Sequence, residues 1–366
     1  MPDTTAQRTR QIWAELGGAT VRDVFAKPDP RYGYDPHHLR TLLTDVDARA
    51  PLGSTLSVCV QVANALPLLL AAWRGSAHRL TTVAEDILDG RAQIAVAATD
   101  GAAPGSDLTS LGTTVRISGD QVELTGTKRW IVNAMTAEWA LVLARHAPGR
   151  QFTSFTLLLV PLDAPGVTRS PSDTNAFTGS ALGDLAFDRV ELGTGHVIGG
   201  RGRGLALFAR QMAGERLASG VWAEALAGRV LAEVRTHLSE HHIAGAPLWH
   251  NAAVRQRYAE AVLTHQTLRA LCDRLSQPRP DAPGSLDEAM ALTAVVKAAG
   301  ARALDTILNT CATLMGADGF RSDGIQQLRL ETAMFGIAGG TTATLLDLIA
   351  DHSEALVPAV ATAGAR

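Results

Sequence analysis

Apolar positions recur at three- and four-residue steps through 4–16 and 35–49, predicting two short helices joined by a loop that Pro28, Pro30 and Gly33 mark. A mostly apolar helix over 51–74 and an amphipathic one over 77–88, stopped at Asp89-Gly90, come next. Large aliphatics cover almost every face of 58–70, as in a helix buried inside a bundle. From Gln93 the period changes to two. An apolar strand at 94–98 leads, and 114–117 and 121–124 alternate around the turn Ser118-Gly-Asp120. Further strands are read at 139–145, 155–160 and 184–192, separated by Pro148-Gly149 and Pro165-Gly166. Alternation is lost in 156–160, which predicts a strand covered on both faces. Helical spacing returns over 205–239, 251–276, 286–315 and 325–335, with a last helix after Gly340. The glycine run 199–204 has neither the βαβ context nor the acidic partner of a dinucleotide loop, and reads as a flexible lead into the first of these helices. The pattern predicts an α+β, mostly helical chain. Its parts are an N-terminal helical domain over 1–92, a middle antiparallel β domain over 93–200 and a C-terminal four-helix bundle over 201–366.

Composition narrows the classes. At 366 residues, 46% hydrophobic and 19% charged, the chain is globular, with two or three domains or layers. A net charge of −3 supplies no basic field for nucleic acid. The polar stretch 1–10 argues against a secretory leader. The apolar stretch 58–73, interrupted by Gln61 and Asn64, is read as too short for a bilayer. Cys59, Cys272 and Cys311 lack metal-like spacing and are expected as buried thiols in a cytoplasmic protein. His241-His242 has no third ligand at suitable spacing, so no metal is expected.

Candidate chemistry lies in the β domain. Thr99-Asp-Gly-Ala-Ala-Pro-Gly-Ser-Asp107 is a small-residue loop, and Gly126-Thr-Lys-Arg-Trp-Ile-Val-Asn-Ala134 follows it. A Gly-Ser-Asp loop followed by Gly-x-Lys-x-Trp-Ile-x-Asn, flanked by helical blocks, resembles the middle domain of the acyl-CoA dehydrogenase family; the likeness extends over 50–355. The resemblance implies FAD as cofactor, an acyl-CoA or acyl-carrier-protein thioester as substrate, and electron-transfer flavoprotein or oxygen as acceptor. It also implies a homodimer or homotetramer. Residue by residue, it places Thr99, Ser106, Trp130, Val132, His241, Thr313, Gly316, Gly340 and Thr341 at cofactor positions, and Ser106 and Arg216 at the substrate.

One carboxylate interrupts an apolar stripe. Leu205, Phe208, Met212, Glu215, Ser219, Trp222 and Leu226 share a helix face, and a buried carboxylate there must be paired, hydrogen-bonded or protonated. From the helix pattern alone, an internal ion pair with Arg216 or another arginine is the reading. The resemblance shifts the weight. Most family members carry the catalytic base in a Tyr-Glu-Gly-Thr segment near the C-terminus, and Ile337-Ala-Gly-Gly-Thr341 has Gly339 in the glutamate's place. The isovaleryl-CoA dehydrogenase branch instead carries its base on the first bundle helix, directly before an arginine, as Gly214-Glu215-Arg216 does here. The resemblance thus implies Glu215 as α-proton base and the Gly339 backbone N–H, with a ribityl hydroxyl, as donors to the thioester carbonyl. The β-hydride would go to flavin N5.

The departures from the family pattern cluster at the cofactor. Val132 replaces a threonine, Thr313 a glutamine, His241 a pyrophosphate-binding arginine, Asn251-Ala252 a Phe-Gln pair, and Thr178 the arginine of a Gly-x-Arg. Histidine for arginine removes a permanent, bidentate charge. Two readings follow: a divergent dehydrogenase, as in secondary metabolism, or a reused fold with weak or no FAD, doing proton chemistry only or serving as a non-catalytic partner subunit.

Overall fold

The computed structural model describes residues 4–73, 78–101, 105, 107–277 and 286–357. They form two compact units that divide between Ala218 and Ser219, inside one long helix.

The first unit opens with α1 (Thr4–Leu16), α2 (Ala19–Ala26) and α3 (Pro36–Arg49), then α4 (Leu52–Val60), α5 (Leu66–Trp73) and α6 (His78–Leu88). Asp35 caps α3 by accepting the backbone N–H groups of His37 and His38, with Pro36 at the first helical position. Between α4 and α5 the helix is not regular. Gln61–Ala65 is a π turn, in which Leu66 N–H reaches back to Gln61 O. The stretch Leu52–Ala72 as a whole is long and apolar enough to cross a membrane, more so than the polar interruptions imply, but 78% of its apolar window is buried against the protein. It is a core helix.

Strands β1 (Ile94–Ala97), β2 (Thr114–Ser118), β3 (Gln121–Ile131), β4 (Trp139–Arg145), β5 (Phe155–Pro161), β6 (Val167–Pro171), β7 (Gly183–Gly193) and β8 (Val197–Ile198) form one eight-stranded sheet. The order is β6-β7-β3-β2-β4-β5-β8, with β1 also paired to β4. Most pairs are antiparallel; β1 and the single β2 contact on β4 are parallel. From 155 to 160, β5 is buried at every position, which is why the alternation fails there. The edge strand β6 has a largely exposed pattern and ends on Pro171, which cannot donate to a further strand. Its lack of an apolar signature hid it from the sequence pattern. Likewise β3 runs on to Ile131 rather than stopping at Leu124, so the Gly-Thr-Lys-Arg-Trp motif lies within a strand.

Helix α7 (Gly204–Glu240) begins in the first unit and ends in the second. The second unit adds a small hairpin of β9 (His242–Ile243) and β10 (Ala246–Pro247), then α8 (Ala252–Ser276), α9 (Leu286–Met315), α10 (Ile325–Thr332), α11 (Thr342–Asp351) and α12 (Ser353–Leu356). Asn251 caps α8 through its side chain. In the bundle, Tyr258 donates to Leu231 O at 3.0 Å and His265 contacts Glu224 at 3.1 Å, both tying α8 to α7. Trp222 packs on Phe335, ring centroids 4.8 Å apart. The α+β, mostly helical architecture expected from the pattern is the one observed.

Candidate active site

The Thr99 loop and the Trp130 segment are held together by a buried ion pair. Lys128, fully buried, donates to Ala98 O at 3.0 Å and lies 3.1 Å from Asp100. Asp100 also accepts the Thr113 N–H at 2.9 Å, the Gly112 N–H and the Thr113 hydroxyl. Burial pulls the Lys128 ammonium down to about 8, against the opposing pull of Asp100. Asp100 is held below its ordinary value, because Lys128 and the Thr113 donors outweigh its own desolvation. Around this pair the backbone closes in register: Arg129 N–H donates to Thr99 O at 3.1 Å and Gly101 N–H to Thr127 O at 3.3 Å. Thr99 is therefore set beside the start of the Trp130 segment. Ser106 lies outside the described residues. Next to it, Asp107 accepts from Thr109 and Arg150, and these contacts, Thr109 first, lower its carboxyl to about 2.

Trp130 and Asn133 both have left-handed backbones, φ 59° and 66°; Trp130 lies in the register shift of β3 against β7 between Lys128 and Ile131, and Asn133 just past the strand. The kink turns the two side chains to different ends. Asn133 is buried and exchanges hydrogen bonds with Ser57 of α4, its Oδ1 accepting the hydroxyl and its Nδ2 donating to Ser57 O. The asparagine of the motif is thus a fastener between sheet and helix. Trp130, by contrast, is 49% exposed, while its backbone N–H is fixed on Asp184 at 3.1 Å. Val132 beside it is half-buried and brings no hydrogen-bonding side chain.

Glu215 sits half-buried on α7, between buried Gly214 and Arg216. Its Oε2 accepts Asn64 Nδ2 at 2.9 Å. One turn earlier, Gln211 Nε2 donates to Ala63 O at 2.7 Å and to Tyr32 O at 3.2 Å. Both partners on the helix side, the acceptor Ala63 O and the donor Asn64 Nδ2, belong to the π turn. Tyr34 donates its phenol proton to Gly214 O at 2.6 Å, and full burial raises that phenol well above its ordinary value. A Cβ on Gly214 would lie 2.7 Å from Tyr32 O, so only glycine allows this approach. Arg216 is 7% exposed; burial lowers its guanidinium and the Glu215 charge pulls it back up. Both Asn64 and Arg216 thus stabilise the charged form of Glu215. Asn64, the partner of Glu215 here, is treated by pattern reading only as a break in an apolar run; a polar residue inside such a run was its one signal.

Of the positions in the second unit, His241 is exposed and stacked on His237, ring centroids 5.2 Å apart, at the mouth of the β9–β10 hairpin. Thr313 is exposed and bonds Asn309 O. Gly316, Gly339 and Gly340 have φ of 58°, 70° and 106°, and Thr341 caps α11 by accepting the Thr344 N–H. Ser219 Oγ, one turn beyond Glu215, is 3.4 Å from the buried Lys297 ammonium, which also donates to Phe335 O at 3.2 Å.

The residues fit the ring of a flavin at one end: an exposed indole, with a rigidly held backbone, stands at the end of an otherwise half-buried strand. At the His241 position itself the chain has an exposed imidazole instead of a guanidinium, while nearby Arg235 and Arg255 stack on Trp249, with ring-centroid distances of 3.6 and 5.5 Å.

Comparison with known proteins agrees with this layout. Residues 95–190 match the model of the acyl-CoA dehydrogenase middle domain, and 202–353 that of the acyl-CoA dehydrogenase C-terminal domain. An acyl-CoA dehydrogenase of Alternaria alternata, AFT10-1, is 21% identical over 87% of this chain and 75% of its own. The acyl-[acyl-carrier-protein] dehydrogenase MbtN of a Mycobacterium species is 25% identical over 74% of this chain and 68% of its own. The chain spans between 48% and 75% of the curated relatives it matches here. A glutaryl-CoA dehydrogenase from Mycobacterium smegmatis, solved in complex with FADH2, shares the fold at TM-score 0.80 and 19% identity, covering 97% of this chain and 89% of that one. With its sheet and its helical bundle each matching the corresponding domain model, the chain belongs, as a divergent member, to the acyl-CoA dehydrogenase family of oxidoreductases acting on CH–CH bonds.

Proposed function

We propose that the protein is an FAD-dependent dehydrogenase that oxidises an acyl thioester to its trans-2-enoyl form, with Glu215 taking the α-proton. The observation that carries this is the carboxyl group of Glu215, half-buried on α7 beside Gly214 and hydrogen-bonded by Asn64, in a chain whose other family position for a base is Gly339. Bound FAD supplies the acceptor, at N5, for the β-hydride. By the family pattern, Trp130 would flank its ring, Thr99, Val132 and Ser106 are further cofactor positions, and so are His241, Thr313, Gly316, Gly340 and Thr341. Glu215 receives the α-proton as the C–H electron pair moves onto the thioester, and the Gly339 N–H donates to the carbonyl oxygen where charge gathers. Arg216, buried beside Glu215, acts through its charge and helps keep the carboxylate ready to accept.

The family's division into 1–92, 93–200 and 201–366 is part of this reading. So is a homodimer or homotetramer, which the exposed Phe320, Leu330 and Ile337 of the second unit favour. The substrate carrier is CoA or an acyl carrier protein, as the name of the MbtN relative illustrates, and electrons leave to an electron-transfer flavoprotein or to oxygen. Buried thiols at Cys59, Cys272 and Cys311 support a reducing, cytoplasmic setting.

The exposed His241, in place of an arginine, favours a second reading in which the fold carries little or no FAD. Flavin absorbance separates the two. The purified protein is expected to carry or take up FAD, and a panel of straight- and branched-chain acyl-CoA thioesters is expected to bleach it. Glu215→Gln should abolish bleaching while leaving the flavin bound. A colourless protein that takes up no added FAD leaves only the second reading.

A further inference from the structure

We infer that Asn64 is a positioning residue for Glu215, an amide that serves the carboxyl in both of its protonation states. The inference rests on the reading of Glu215 as proton acceptor. Asn64 is 7% exposed and belongs to the π turn Gln61–Ala65. Its Nδ2 donates to Glu215 Oε2 at 2.9 Å, but its Oδ1 is buried without a hydrogen-bond partner. A buried amide oxygen left unmet costs free energy, so its retention needs a reason. The chemistry of the carboxyl supplies one. Charged Glu215 only accepts and so calls for the amide N–H; once it holds a proton it becomes an O–H donor and calls for an acceptor. Rotation about the terminal torsion of asparagine exchanges the two ends of the amide with little backbone movement. The unmet oxygen is the acceptor in reserve.

The placement is built for this. Gln211, four residues before Glu215, clamps the same π turn through Ala63 O at 2.7 Å, so two contacts on one face of α7 hold Asn64 in position. Among the described residues of the first unit, the charged and titratable groups near this stretch include Arg216, the Tyr34 phenol on Gly214 O, and Tyr32, Cys59 and Asp29 around that phenol.

The test is an infrared titration of the full-length protein. The carboxyl C=O band that Glu215→Gln removes reports the Glu215 midpoint. Asn64→Leu, which keeps the size and removes both ends of the amide, should raise that midpoint by about one pH unit, because the bond lost by the charged carboxylate is stronger than the one lost by the protonated acid. The isosteric Asn64→Asp should raise it further, since a second carboxylate disfavours charge on the first. In wild type, but not in the leucine variant, the band of the protonated acid should lie at the lower frequency of a hydrogen-bonded O–H. Circular dichroism checks each fold, and the aspartate variant carries the test if the leucine variant does not fold. An unmoved midpoint in a folded variant overturns the inference. If the midpoint shifts but Glu215→Gln still bleaches flavin, the base assignment fails and the positioning stands; if Glu215→Gln stops bleaching and the midpoint is unmoved, the reverse holds.

Discussion

At the scale of single residues, three side chains of one nine-residue motif play three parts. Lys128 is wholly buried on Asp100, Trp130 is half in solvent, and Asn133 is tied to Ser57. All three were legible as a motif, and only Trp130 had a role, given by the resemblance; their exposure was not legible, because the letters do not display the register shift near Trp130. The lysine carries a pH prediction. Its ammonium sits at about 8 in the folded protein against an ordinary 10.5. Between those values the unfolded chain binds more protons at this side chain, so its contribution to unfolding free energy rises with pH across that window. Lys128→Met should remove that rise and, by leaving the Asp100 carboxylate without its partner, cost about 3–5 kcal/mol near neutral pH. Urea denaturation at several pH values measures both. An equal pH slope in mutant and wild type counts against the buried-pair account.

Among elements, the decisive one is the irregular turn between α4 and α5. A regular helix would carry Gln61 and Asn64 around the cylinder at a fixed angle. The extra residue in the turn redistributes them, so that Gln61 Oε1 accepts the Ile94 N–H at 3.0 Å while Asn64 reaches Glu215. Composition does not announce a π turn, since the same residues suit an ordinary helix. The stripe on α7 was readable, and the structure keeps Leu205, Phe208, Trp222 and Leu226 buried along it. The contact that seats Glu215 was not readable, because it depends on Tyr32 and Tyr34 arriving from far upstream. Gly214→Ala tests that seat. Its added methyl meets a backbone carbonyl at 2.7 Å, and a loss of about 1–3 kcal/mol in chemical denaturation is expected. A neutral result requires that the Tyr32 loop gives way easily.

For the whole molecule, family membership holds at identities near 20–30%, which leaves the cofactor site wide room to diverge. The departures are uneven. Trp130 stands exposed where a ring would pack, whereas His241 offers no fixed charge. Trp130→Ala is expected to weaken FAD binding about tenfold, and His241→Arg to strengthen it, both read by flavin fluorescence on titration. If Trp130→Ala binds FAD as wild type does, the ring lies elsewhere.

The order of helices, strands and helices, the strand buried on both faces and the carboxylate on an apolar stripe all followed from periodicity and local spacing alone. Those features depend on neighbours in the chain, and burial selects residue types at fixed intervals. Four features were decided only in three dimensions: the edge strand β6, the kink that sends Trp130 outward and Asn133 inward, the π turn, and the hydrogen bond from Asn64 to Glu215. Each needs partners distant in sequence, and the free energy of such a contact belongs to the packed arrangement rather than to either segment.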